Sequence, residues 1–270
     1  MTTQLTAYIE GIGLLGPGFT DWPSSHTKLT GQQPYHALKT IIPAPAVLPA
    51  AERRRASDIV KLTLATSMEA MAAADLTAAS LPSVFSFSNG DGVNCHTICE
   101  MLASDDRQIS PTRFHNSVHN AAAGYWSIAM GAMATSSVLC AFDASFGAGL
   151  LDAITQVVVD DTRCILMVSD TPYPEPVFSK RPIPDNFGIA LVLAPPCNLQ
   201  ASPKAIARIE VSITNDAACK FSDPALEALR LAIPAARGLP LLQAIAQQKN
   251  HRVVLDYLDD TRLAIEISPC

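Results

Sequence analysis

Positive charge is scarce and scattered in this chain. Lys and Arg number 19 of 270 residues against 25 Asp and Glu, the net charge is −6, and the one basic run is Arg53-Arg54-Arg55. A nucleic-acid binder needs clustered cations to replace counterions on phosphates, so nucleic acid is excluded as a main partner. An export signal is missing as well: the N-terminus from Met1 to Glu10 has no basic region followed by an apolar one. No uncharged apolar run is long enough to span a bilayer, so no membrane span is expected and cytoplasmic placement is. Framework cysteines are absent too. The seven present (Cys95, Cys99, Cys140, Cys164, Cys197, Cys219 and Cys270) are an odd number without repeated spacing, which reads as buried free thiols in a reducing compartment.

Apolar residues are plentiful. At 49% hydrophobic and 16% charged, 270 residues hold material for a large core in one domain or two closely fused ones. Residues 5 to 15 read as a strand ending in a glycine-rich turn, and Pro23, Pro34, Pro43, Pro45 and Pro49 mark the next stretch as a loop. From Ser57 to Ala74 the positions Ile59, Val60, Leu62, Leu64, Met68 and Met71 recur at helical spacing, with Ser57 and Asp58 as candidate caps. Val84 to Phe87 reads as a buried strand, and Val93 to Leu102 and Ala121 to Met133 as helices. A strand from Ser137 to Phe142, a helix from Ser145 to Val158, and strands from Cys164 to Ser169 and Phe187 to Ala194 follow. Past a junction near 196 to 204 come a strand at 207 to 213, two short helices within 224 to 248, and a hairpin turning at Asp259-Asp260-Thr261. Alternating strands and helices predict an α/β fold with a layered α-β-α, mostly parallel or mixed sheet covered on both faces.

Several motifs carry chemistry on paper. Gly11-x-Gly13-x-x-Gly16 follows a strand as a dinucleotide fingerprint does, but it runs into Pro17-Gly18 and opens no helix, so a glycine turn for close packing is the better reading. Cys95 with Cys99, and His115 with His119, stand four apart, so each pair would share a helix face and offer zinc ligands. Without a second close Cys pair or the Glu of a His-Glu-x-x-His helix, no metal site is expected. Asp143-Ala-Ser145-Phe-Gly147 has the outline of a nucleophile elbow, with His115, His119 and His251 as candidate bases. A stand-alone acyl-thioester or ester hydrolase using Ser145 is therefore the second functional expectation, with helix capping by Ser145 or Asp143 as the plainer role.

Four segments in order resemble the N-terminal half of β-ketoacyl synthases, a thiolase-fold family: Ile9 to Gly18, Arg54 to Ala70, Asn120 to Ile128, and Ser137 to Ala153. The run Phe114-His-Asn-Ser-Val-His-Asn120 before Ala-Ala-Ala-Gly is more specific. It resembles the short ketosynthase-like subunit of aryl polyene type II polyketide synthases, the chain-length-factor partner of the true ketosynthase. The likeness covers residues 5 to 195, which implies a ketosynthase-like unit over 1–200 and a reduced C-terminal half over 201–270 packed on it as one compact unit.

The resemblance implies the rest of the functional expectation. Where the family places its acyl-accepting Cys, this chain has Phe142 or Asp143, and neither forms a thioester. Cys140 lies two or three residues early, where it is expected to point into the sheet as a buried, protonated, inert thiol. The family's two catalytic histidines have no counterpart in 200–270, where only His251 stands, at the start of a strand. The expectation is thus a non-catalytic partner of a catalytic ketosynthase, with no cofactor of its own and with substrates carried as phosphopantetheine thioesters on an acyl carrier protein. His115, Asn116, Ser117, Val118, His119 and Asn120 would lie at the subunit interface and set the length of the partner's acyl tunnel, with Tyr125 and Trp126 as rigid support. Arg53, Arg54 and Arg55 would contact the acidic carrier, or form only a solvated face.

Overall fold

The computed structural model describes residues 4–196 and 204–270. In chain order the strands are β1 (Leu5–Leu15), β2 (Ser83–Phe87), β3 (Ser136–Cys140), β4 (Cys164–Asp170), β5 (Phe187–Ala194), β6 (Ala207–Thr214), β7 (His251–Leu258) and β8 (Thr261–Pro269). The helices are α1 (Trp22–Leu29), α2 (Ala50–Arg55), α3 (Asp58–Ala74), α4 (Gly92–Ala103), α5 (Pro111–His115), α6 (Ala121–Met130), α7 (Ser145–Asp160), α8 (Val177–Lys180), α9 (Pro224–Ala232) and α10 (Leu239–Ala246). Three-residue and five-residue 3₁₀ turns at Phe142–Ala144 and Pro234–Gly238 complete the set.

All eight strands form one sheet in the order β3-β2-β4-β5-β1-β6-β8-β7. The sheet is mixed and not mostly parallel: β2 runs parallel to β3 and β4, while the other five pairings are antiparallel. Both faces are covered, as the continuous apolar runs require. On β4, Ile165 and Met167 point to the α3 and α6 side while Cys164, Leu166 and Val168 point to the α7 side, and β5 alternates the same way. β6 pairs with β1 from Leu5 to Ile9, so the last third of the chain extends the same sheet. Most of the expected junction at 196 to 204 lies outside the described residues.

The glycines of β1 explain how α3 lies so close. A Cβ on Gly11 would sit 2.0 Å from the Ala70 carbonyl oxygen, and one on Gly13 1.9 Å from that of Thr66. They are strand residues that admit a helix backbone, not a turn and not a pyrophosphate cradle. The Glu69 carboxylate of α3 accepts from the backbone N–H of Leu14 and Trp22, pinning the end of β1, and burial raises its pKa.

The stretch read as a proline loop holds α1. Asp21 caps it by accepting from Ser24 N–H at 2.7 Å, and Pro23 sits in the first turn, where its missing N–H costs nothing. The short helices α5 and α8 were likewise not expected. Ser57 is the residue before α3 but makes no side-chain cap, and Asp58 pairs with Lys61 instead. The cysteines are not generally buried: Cys164 is, Cys219 is half-buried, Cys95, Cys99, Cys140 and Cys270 are exposed, and Cys197 lies outside the described residues. Phe142–Asp160, which contains Asp143, Asp152 and Asp160 and so is no uncharged run, is nonetheless long and apolar enough to cross a bilayer by length and composition alone. Its place in the fold is against the sheet, with Phe146, Leu150, Ile154 and Val157 buried.

Candidate functional site

The C-terminal ends of β2, β3 and β4 meet at the turn into α7, where the sequence suggests a vacant nucleophile position. Phe142 occupies the turn with φ of 52°, a left-handed conformation that costs a bulky side chain energy and is used where a strand must reverse abruptly into a helix. Its ring is exposed and the Arg181 guanidinium carbon lies 3.3 Å from the ring centre, within stacking distance. Asp143 lies beside it, its two carboxylate oxygens taken by Arg181 at 2.5 Å and Arg237 at 3.2 Å. From there charges continue through Asp256 to Arg230 and Glu227, with Arg230 buried. Arg181, Arg237 and Asp170 carry no sequence signal of their own. Only the fold brings them from β4 and from the loops around α8 and α9 to this turn.

Ser145 does not have the geometry of a hydrolase nucleophile. It is fully buried, and its Oγ lies 2.7 Å from the carbonyl oxygens of both Phe87 and Phe142. No histidine among the described residues bonds to it, and its own carbonyl accepts from Ser86 Oγ at 2.7 Å. The hydroxyl clamps the turn to β2, which removes the hydrolase expectation.

Cys140 departs from its expected place because β3 is an edge strand. The residue is exposed and its Sγ lies 3.4 Å from His119 Nδ1. That is the reach of a thiol–imidazole dyad, but partial enclosure of the sulfur and the charge of Asp170 push the thiol upward, away from thiolate. Asp170 itself is completely buried, accepting from Ser88 N–H at 2.8 Å and Ala235 N–H at 2.7 Å, and burial pushes its carboxyl up to about 6.

The segment before α6 divides into outside and inside residues. His115, Ser117, Val118, His119 and Asn120 are exposed, whereas Asn116, Tyr125 and Trp126 are buried. Asn116 Nδ2 donates to the Arg55 carbonyl and lies 3.3 Å from Tyr125 Oη, so it fastens the segment to α2. Trp126 packs edge-on to Phe85. His115 ends α5 and His119 lies beyond it, so the two do not share a helix face as their spacing suggested. Around the segment, Phe114, Val118, Ile128 and Met133 are exposed at 67%, 54%, 53% and 89%. The cavity behind Val118 and His119 holds only about 10 Å³. Arg53, Arg54 and Arg55 are exposed on α2, with Arg55 paired to Glu52.

Comparison with known proteins places the chain in context. The profile of the β-ketoacyl synthase N-terminal domain matches residues 22–251. No curated protein matches. Among solved structures, a ketosynthase (ApeO) in complex with its chain length factor (ApeC) from Xenorhabdus doucetiae superposes with a TM-score of 0.72 at 19% identity, covering 97% of this chain and 99% of that one. A type II polyketide synthase assembly, the ketosynthase AntDE with the acyl-carrier protein AntF, gives 0.72 at 11% identity over 99% and 100% of the two chains. The ishigamide ketosynthase/chain length factor gives 0.70 at 11% identity over 97% and 98%.

Proposed function

Because the chain belongs to the β-ketoacyl synthase N-terminal domain family, we propose that it is the family's non-catalytic kind of subunit, a chain-length factor that pairs with a catalytic ketosynthase. The observation that carries this reading is the turn at Phe142. A strand, a strained turn and a helix are built as they would be to present a nucleophile, and the side chain presented is a phenyl ring stacked on Arg181. Neither it nor Asp143, engaged by two arginines, can accept an acyl group. Two of the similar structures are of a ketosynthase with its chain length factor, which supports the same reading.

In this account the chemistry is decarboxylative Claisen condensation of malonyl units, done in the cytoplasm by the partner's cysteine on intermediates held by an acyl carrier protein. This chain supplies a surface. β3 is the open edge of the sheet, so its unpaired backbone groups can accept another strand, and Phe114, Val118, Ile128 and Met133, exposed in the chain segment that leads into β3, supply apolar area. The opposite edge is guarded, since Cys219 exchanges hydrogen bonds with Val254 of β7 and Asp216 pairs with Arg252. With only about 10 Å³ behind Val118 and His119, these residues would limit chain length by projecting into the partner's tunnel. Arg53 to Arg55 would meet the carrier, and aryl polyene elongation is the pathway this reading favours.

The test is product length. With a catalytic ketosynthase that it pairs with and a reconstituted carrier, Val118→Phe should shorten the longest product and His119→Ala lengthen it, at unchanged complex yield. Unchanged product lengths in both variants would remove the gating role.

A further inference from the structure

A cavity of about 930 Å³ lies apart from the turn at Phe142. It lies between the start of α3, the starts of α4 and α5, and the loops at 39–42, 171–172 and 184–186. Five cations line it against three carboxylates, in a chain whose net charge is −6. The pairing inside it is uneven. Lys61 is bound to Asp58 at 2.9 Å and Arg55 to Glu52 at 3.2 Å. Lys39, Arg54 and Arg113 have no carboxylate partner among the described residues.

The carboxylates are also committed. Asp185 accepts from the backbone N–H of Thr40 and Asn186, and Asp91 caps α4 by accepting from Asn94 N–H. Two further observations ask for a ligand. Asn186 lines the cavity with its side-chain oxygen buried and without a partner, which a hydroxyl or amide N–H would satisfy. The 17-residue helix α3 opens into the space with no side-chain cap, so its first-turn N–H groups and the positive end of its dipole face whatever enters.

We propose that this cavity binds a phosphate ester, its anionic oxygens held by Lys39, Arg54 and Arg113 and a hydroxyl or amide N–H of the same molecule donating to Asn186. The assignment goes beyond a surface contact of Arg53 to Arg55 with a carrier, because it places a phosphate inside this subunit. Two sources share the chemistry: the phosphopantetheine arm of a carrier, and a free phosphorylated metabolite. The first rests on the carrier reading above and the second does not.

The test is calorimetric titration of the isolated full-length chain with inorganic phosphate, 4′-phosphopantetheine, glucose 6-phosphate and unphosphorylated pantetheine. Saturable binding of inorganic phosphate is expected, weakened at least about tenfold in each of Arg54→Ala and Arg113→Ala, the loss expected for one hydrogen bond to a charged group. Circular dichroism and melting of each variant show whether the fold is kept, and Arg262→Ala, on the distant hairpin, should bind as the unaltered chain does. Tighter binding of phosphopantetheine than of glucose 6-phosphate assigns the arm, and the reverse order assigns a free metabolite; either supports the site. Equal binding of pantetheine and phosphopantetheine, or phosphate affinity unchanged in both folded variants, overturns it. Because no partner is present in this experiment, its failure leaves the ketosynthase pairing untouched.

Discussion

Single side chains decide what the turn at the end of β3 can do. Ser145 ties the carbonyl at the end of β2 to that of the turn, so Ser145→Ala should lower unfolding stability by about 1 to 3 kcal/mol, the cost of leaving buried groups unpaired. Fluorophosphonate should label neither form, and labelling that vanishes in Ser145→Ala would restore a hydrolase. Asp170 gives a pH signature. Its folded pKa, about 6, stands above the ordinary carboxylate value, so the fold favours the protonated form. That contribution is fully present below the unfolded pKa of about 4 and is lost as pH rises through 6, an amount on the order of 3 kcal/mol. Urea unfolding at a series of pH values should therefore show the stability of the unaltered chain relative to Asp170→Asn falling as pH rises from about 4 to about 7; a rising difference contradicts the assignment. The sequence reveals part of this site. The expectation of a vacant nucleophile position came from a family resemblance that fitted two residues, and only the backbone shows that Phe142 takes the left-handed φ. Arg181, Arg237 and Asp170 lie 28 to 95 residues from Phe142 and carry no motif, so nothing local announces them.

At the level of elements, periodicity found those whose stability comes from one buried face, such as α3 and α7, and those buried on both, such as β4 and β5. It missed α1, where proline reads as a breaker although the first helical turn tolerates it. It also misplaced Cys140, since an apolar strand reads as central whether or not a neighbour covers its outer side. The glycines of β1 set the distance between α3 and the sheet. Gly13→Ala should destabilise by about 3 kcal/mol or more, because the new methyl meets the rigid backbone carbonyl of Thr66. Chemical denaturation measures it, and a loss below about 1 kcal/mol would mean that α3 shifts freely on the sheet. Phe114, two-thirds exposed, should behave in the opposite manner. Phe114→Asp should leave the unfolding of the isolated chain within about 0.5 kcal/mol while weakening ketosynthase binding at least about tenfold. Surface plasmon resonance reads the second quantity, and unchanged affinity would move the interface elsewhere.

At the scale of the whole molecule, one eight-stranded sheet has a blocked edge at β7 and an open one at β3. A lone protein with such an edge carries an aggregation hazard, which pairing with a second chain removes. The ketosynthase-like outline was legible from the order of four sequence segments. The sequence left mostly parallel and mixed sheets both open, because an apolar run is the same read forward or backward, and the strand pairings select the mixed one. The account's central claim is pairing, and it is tested most directly by co-expressing this chain with a catalytic ketosynthase from the same source and measuring the mass of the purified species by native mass spectrometry. The account predicts a one-to-one heterodimer, with the ketosynthase insoluble or inactive when produced without this chain. A monomer that never captures the ketosynthase, beside a ketosynthase fully active alone, would contradict it.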